Sequence, residues 1–359
     1  MKKLLALLLA GAMALSMVAC SSDEPKEEGD GEDKMRVQLI VSNLGDKSFN
    51  DSAHAGLQKC AEEYGIDYKY VEYGTDNSKA EPTLMEAAED GYDLVVCQNL
   101  GFGIGSEWIQ NNAANYPDTT FVIYDEPSVE NELQNVQYLC YKAHESDFIA
   151  GALAAKMSES GVIGFVGGQE TPVIHDFLVG YIQGAQYVNP DIKVNVSYVG
   201  NYTDTAKGTE LANAAIDAGA DVIHAVAGGA GNGALEAAQK AGALGIGVDS
   251  DQYELFKENK PELAASVVTS SLKNVGESLY QLIGSMLDGT YEWQPQLWYG
   301  MAENCAGIAE NENYEALVSE EIRAEIDTIK EDIASGKIEV KSAYGMTSEE
   351  INAMVNAVK

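Results

Sequence analysis

Short runs of β-branched and aromatic residues alternate with longer stretches in which apolar positions recur at helical spacing. The runs predict strands over Arg36–Ser42, Tyr68–Tyr73, Leu94–Gln98, Thr120–Tyr124, Val136–Cys140, Val162–Val166, Lys193–Tyr198, Val222–Val226 and Gly245–Asp249. The stretches between them predict helices over Ser52–Tyr64, Glu81–Glu89, Gly105–Ala114, Asp147–Ser158, Asp176–Asn189, Thr205–Ala218 and Ala234–Ala241. Parallel neighbours need a crossover, usually a helix, so this alternation predicts α/β architecture: doubly wound parallel sheets with helices on both faces. A break near residues 140–146 divides the pattern into two similar α/β domains.

The later elements complicate the division. A strand over Ser266–Ser271, a helix over Leu272–Leu287, a returning strand within Trp293–Tyr299 and a charged helical tail from Tyr314 to Lys359 follow in turn. If the late elements rejoin the first domain, an N-terminal lobe comprises residues 36–142 plus about 274–305, and a C-terminal lobe 143–273 plus about 306–359. The chain then crosses between lobes several times, which is hinge geometry. Ligands of open parallel sheets bind beyond the carboxyl ends of the strands, so residues just past strand ends are the candidates for chemistry.

The N-terminus follows a different pattern. Lys2 and Lys3 precede an apolar run from Leu4 to Leu15 and then Met17-Val18-Ala19-Cys20, the layout of a secretory signal over residues 1–19. The run falls short of the ~20 apolar residues that span a bilayer. Cys20, directly after a small residue at the cleavage point, resembles the lipobox of bacterial lipoproteins. That resemblance implies acylation of Cys20 and a mature chain held by lipid on the extracytoplasmic face of the cell membrane. An ordinary signal peptide with an incidental cysteine is the alternative. Residues 20–35 then form an acidic tether, because SSDEPKEEGDGEDK contains no large apolar side chain to join a core.

Charge excludes some partners. With 57 acidic and 22 basic residues, the net charge of −35 repels nucleic acid and anionic lipid surfaces. Apart from Cys20, the cysteines at 60, 97, 140 and 305 are far apart and lack a C-x-x-C pair, so zinc and dithiol readings have no support. Four unpaired thiols are expected, although export permits a disulfide. His54, His144, His175 and His224 make no metal pair at helical spacing. No metal or cofactor is expected, and with no P-loop, any transport energy must come from another chain.

Four strand ends stand out. The first runs into Gly45-Asp46-Lys47-Ser48-Phe49-Asn50-Asp51, an aromatic among polar residues at a helix start. A flat ligand ring would cover Phe49; equally, Asp46, Ser48 or Asn50 would serve as plain helix caps. A second ends in Asp125, and a third in Gly167-Gly168 with Phe177 on the next helix. The fourth leads into Ala227-Gly228-Gly229-Ala230-Gly231-Asn232-Gly233-Ala234, with Asp249 at the next strand end. Gly229-x-Gly231-x-x-Ala234 matches a variant dinucleotide fingerprint and raises an exported nicotinamide-dependent dehydrogenase as a reading. Export away from the cofactor pool and the lack of a catalytic His or Lys with a partner count against it. A glycine-lined helix start with an acid for ribose hydroxyls also suits a nucleoside.

Asp46-Lys47-Ser48-Phe49-Asn50, Asp125, Phe165-Val166-Gly167-Gly168, Ala227-Gly228-Gly229, Gly247-Val248-Asp249-Ser250-Asp251-Gln252 and Thr269-Ser270-Ser271-Leu272-Lys273-Asn274 occur in the order seen in the basic membrane protein family. The chain resembles these purine-nucleoside-binding lipoproteins of ABC importers, a type I periplasmic-binding fold of two domains joined by a hinge. The resemblance implies a binding protein and not an enzyme, with importer permease and ATPase subunits as partners. It further implies that Phe49 and Phe177 sandwich a base and that Asn50 bonds a base or sugar edge. Asp125 and Asp249 would accept from ribose hydroxyls, Lys273 would donate to the sugar, and Gly229 would present a backbone amide; Asp46 belongs to the same site. The family usually carries an acid at the end of strand one, where this chain has Val41-Ser42-Asn43-Leu44-Gly45; Asn43, both donor and acceptor, stands in for it. That difference leaves another small polar metabolite as the alternative ligand in the same fold.

Overall fold

The computed structural model describes residues 34–98, 104–127 and 130–359. The signal, Cys20 and all but the last two residues of the tether lie outside the described residues. Among the described residues, no helix is long and apolar enough to cross a membrane.

The strands are β1 Arg36–Val41, β2 Asp67–Glu72, β3 Leu94–Gln98, β4 Thr120–Tyr124, β5 Val136–Tyr141, β6 Val162–Gly167, β7 Lys193–Tyr198, β8 Val222–Val226, β9 Leu244–Asp249, β10 Val267–Lys273, β11 Gln296–Tyr299 and β12 Ala306–Ile308. The α-helices are α1 Phe49–Glu63, α2 Ala80–Glu89, α3 Ile104–Asn112, α4 Ala143–Met157, α5 Pro172–Val188, α6 Thr205–Asp217, α7 Gly228–Ala241, α8 Gln252–Phe256, α9 Pro261–Ala264, α10 Val275–Asp288, α11 Glu312–Leu317, α12 Glu320–Ala334 and α13 Ser348–Ala357. Two six-stranded sheets result, ordered β11-β5-β4-β3-β1-β2 and β12-β10-β9-β8-β6-β7. The first is parallel throughout. The second is parallel except for β12, which runs against β10.

Side chains alternate across a strand, so each sheet builds two cores. Val37, Leu39 and Val41 of β1 pack with Ala53 and Leu57 of α1 and Leu279 of α10, whereas Ile40 faces Leu84 of α2 and Ile109 of α3. In the second sheet, Ile163 and Phe165 face α4 and α5, and Val166 faces α6 and α7. The edge strand β2, DYKYVE, is largely exposed, and its charges discourage pairing with another chain. Cys60, Cys97, Cys140 and Cys305 are all free and buried.

We call each sheet with its helices a lobe. The chain passes between lobes at Lys142, at Asn274 and between β11 and β12. The crossings brace one another: Lys142 N–H donates to Tyr299 O at 2.9 Å and Asn274 N–H to Cys305 O at 2.9 Å. Met301 N–H donates to Glu145 Oε2 at 2.8 Å.

Two boundaries differ from the sequence reading in ways that matter. Leu272 and Lys273 belong to β10 and not to the following helix, because β10 is held by β9 on one side and by β12 on the other, with Lys273 opposite Ala306. Helix α7 begins at Gly228, six residues before the expected start, despite the poor helix propensity of glycine. Close packing supplies the reason: a Cβ on Gly233 would lie 2.0 Å from Thr205 O of α6, and one on Gly231 would lie 3.1 Å from Ala225 O. Gly231, a glycine of the dinucleotide-like motif, and its near neighbour Gly233 therefore serve the close packing of α7 on β8 and α6.

Candidate ligand-binding site

The carboxyl ends of the two sheets face each other, and three charged groups meet between them. Lys273, the last residue of β10, donates from Nζ to Asp125 Oδ2 at 2.6 Å, just past β4 in the other lobe. The same nitrogen lies 3.6 Å from Asp249 Oδ1 at the end of β9. Ser48 Oγ, at the start of α1, donates to the other Asp249 oxygen, making a second link between lobes. Lys273 and Asp249 are 4% and 6% exposed, so water screens these charges little.

Burial acts on each group differently. It would lower the Lys273 pKa, but Asp125 and Asp249 outweigh it and hold the ammonium above its ordinary value. For Asp249, burial wins over Lys273 and Ser48, and its carboxyl sits above the usual range. The backbone is constrained as well: Asp125 and Asp249 have φ of 66° and 63°, a left-handed conformation uncommon for non-glycine residues. It recurs at the tips of β4 and β9, one in each lobe.

Aromatic rings enclose the ammonium. Phe49, the first residue of α1, lies with its ring centre 4.5 Å from Lys273 Nζ, and Phe177 of α5 at 5.0 Å. Tyr141 is farther at 5.9 Å, and Tyr124 backs Phe49 at 5.1 Å between centroids. The two phenylalanines thus come from different lobes and flank one cation, with a carboxylate from each lobe beside it. The arrangement offers two apolar ring faces beside one ammonium and two carboxylates, apolar surface and convergent polar groups in one cleft.

The loop before α1 is organised by its own acids. Asp46 accepts from the backbone N–H groups of Ser48, Asn50 and Asp51 at 3.0, 2.8 and 3.2 Å, satisfying the start of the helix. Burial pushes the Asp46 carboxyl up to about 6 despite those bonds. Its carboxylate is committed to the backbone. Asn50 donates from Nδ2 to Asn43 O at 2.8 Å, leaving a buried Oδ1 without a partner as an acceptor in the site. Asn43 enters this network through its backbone carbonyl.

Gly229 lies at the start of α7, where a Cβ would meet Tyr202 O at 3.2 Å. Tyr202 escaped the sequence reading, since it sits in a loop without a motif. Its ring occupies the space that a side chain at Gly168 would need, with a Cβ there only 2.2 Å from Tyr202 Cε1. Lys273 and Asp125 are near enough to act on its phenol, whose pKa burial raises. Phe49, Asp125, Phe177, Asp249 and Lys273 therefore converge directly, while Asn50 and Asp46 line the same loop and Gly229 stands behind Tyr202. Ser48 also escaped notice as a partner of Asp249, although it lies inside the quoted motif; only the approach of the lobes reveals that role.

Comparison with known proteins bears on this cleft. Residues 35–339 match the Bmp family model, described as ABC transporter substrate-binding protein PnrA-like. Basic membrane protein A of Borreliella burgdorferi is 33% identical over 319 residues, covering 87% of this chain and 89% of that one. The ABC transporter nucleoside-binding protein BmpA of Lactococcus lactis is 31% identical over 354 residues, covering 92% and 97%. A solved solute-binding protein of an ABC transporter system from Aeropyrum pernix shares the fold, with a TM-score of 0.77 at 23% identity over 90% of this chain and 99% of that one.

Proposed function

Because this chain belongs to the Bmp family of PnrA-like ABC transporter substrate-binding proteins, we propose that its ligand is a nucleoside, with a purine base, held between the two lobes. As a member of that family it is a binding protein and not an enzyme, and it works with a small-molecule ligand and the permease and ATPase subunits of a transporter. The carrying observation is that Phe49 and Phe177, one from each lobe, flank Lys273 while it bridges Asp125 and Asp249.

On this reading the base enters between Phe49 and Phe177, and Asn50 Oδ1 accepts from a base N–H. The ribose hydroxyls donate to Asp125 and Asp249, whose charge Lys273 balances while it donates to a sugar oxygen. Three charged groups already in place, with strained backbone at both acids, spare the ligand the cost of ordering them. A relative named as a nucleoside-binding protein supports the assignment. Cys20 carries lipid and anchors the chain on the extracytoplasmic face; membrane fractionation tests this, since Cys20→Ala should release the protein, and its retention would reject the anchor.

Calorimetry on ligand-free refolded protein tests the ligand class. Purine nucleosides should release heat, and a complete absence of heat with every nucleoside would reject the assignment. Phe177→Ala should weaken all bound bases alike by roughly 1–3 kcal/mol, about fivefold to 150-fold, as one stacking face is lost. Unchanged affinity in that variant would remove the sandwich.

A further inference from the structure

Between Gly45 and Phe49 three successive backbone carbonyls turn toward the other lobe. Asp46 O accepts from Asn232 Nδ2 at 3.4 Å, Lys47 O from Gln252 Nε2 at 2.9 Å and Ser48 O from Ser250 Oγ at 3.1 Å. An extended strand would alternate these carbonyls; here Lys47 takes a φ of 57°, which breaks the alternation. The loop is stiff on its own side, because Asp46 holds three backbone N–H groups and Asp51 accepts from those of Gly45 and Lys47 at 2.7 and 3.0 Å.

The central donor is equally fixed. Gln252 is buried, its Oε1 accepts from Val248 N–H at 3.1 Å, and its own N–H donates to Ser270 Oγ at 3.1 Å. With Oε1 committed, Nε2 is left to reach across to Lys47 O. All three cross-lobe bonds are neutral, and all three accept on backbone, so their strength does not depend on what lies between the rings. They exist only while the lobes are together.

We propose that Asn232, Ser250 and Gln252 form a closure latch that sets how long any ligand stays, without selecting which ligand enters. A latch present only in the closed state slows opening, so its loss raises the dissociation rate and leaves capture by the open form unchanged. Gln252 is thus a positioning residue, acting on the ligand through the lobes.

Stopped-flow kinetics with guanosine and inosine as probes read this on wild type, Gln252→Ala and the double variant Asn232→Ala, Ser250→Ala. Both variants should dissociate roughly tenfold faster, with an association rate no lower than that of wild type and an unchanged guanosine-to-inosine affinity ratio. A wild-type dissociation rate in a folded variant overturns the latch, and so does a shifted ratio, which would make these residues ligand contacts. The double variant alters half-buried positions and keeps the test valid should Gln252→Ala not fold. Small-angle scattering on ligand-free protein separates this inference from the nucleoside assignment on which its probes rest. If neither probe binds the wild type, that assignment fails alone, and the latch still predicts variants more extended than wild type; equal compactness overturns it.

Discussion

Lys273→Met is expected to weaken ligand binding at least a hundredfold and to destabilise the folded protein at neutral pH by about 3 kcal/mol. Methionine preserves most of the aliphatic stem, so the effect isolates the ammonium. Without it, Asp125 and Asp249 approach one another across the cleft with no cation between them, and removing one partner of a buried charge set typically costs about 3–5 kcal/mol. The ligand loses a charged donor, and the lobes lose the Lys273 to Asp125 bond that joins them.

The variant also carries a pH signature. Burial already raises the Asp249 carboxyl above its ordinary value. A carboxyl with a raised folded pKa contributes stability that is full below its unfolded pKa and is lost as pH rises through the folded value. Removing Lys273 pushes that carboxyl higher, so the stability gap between variant and wild type should narrow on acidification from about pH 7 toward about pH 4. Urea unfolding at both pH values, with calorimetry on the same samples, checks this. A gap that stays constant or widens on acidification would show that the destabilisation does not come from uncompensated carboxylates.

Gly184→Ala should cost about 4 kcal/mol of stability, an unusually large loss for one added methyl. Gly184 lies on α5 where it crosses α4, and a Cβ there would fall 1.8 Å from Phe148 O. Gly151 and Gly180 make the same kind of contact, at 2.0 Å from Tyr181 O and 2.4 Å from His144 O. In each case the obstacle is backbone, which cannot rotate away as a side chain would. The helices must separate along the contact, and α5 carries Phe177 while α4 begins at the hinge. Chemical denaturation should therefore show a lower midpoint, and ligand affinity should fall as well. A folded variant within about 1 kcal/mol of wild type would contradict so close a crossing.

The core strands are legible because most are buried on both faces and read as near-continuous apolar runs, as residues 94–97 do and as Val222–Val226 does around His224. Boundaries governed by packing were not: the glycines between 228 and 233 argue against a helix, and the approach of α6 explains why one forms. Lys273 was assigned to a helix because the pairing of β10 with β12 joins segments more than thirty residues apart. Asp125 and Asp249 are legible as candidates because they sit at or just beyond strand ends, where ligands of such sheets bind, whereas Phe49 and Phe177 lie on the helices that follow and stand out as aromatics near those ends. Asp46 carries two readings in the sequence, a ligand group and a plain helix cap, and its carboxylate takes the second, accepting from the backbone at the start of α1. Tyr202, the Ser48 to Asp249 bond and the three carbonyls of the latch depend on how the lobes meet, and no local pattern encodes that.

The most direct measurement is mass spectrometry of whatever small molecule the natively purified protein releases on denaturation. The predicted species is a nucleoside, a purine base joined to an unphosphorylated ribose that offers hydroxyls to Asp125 and Asp249. Release of a molecule without an aromatic ring, as the bound species at stoichiometric yield, would contradict it.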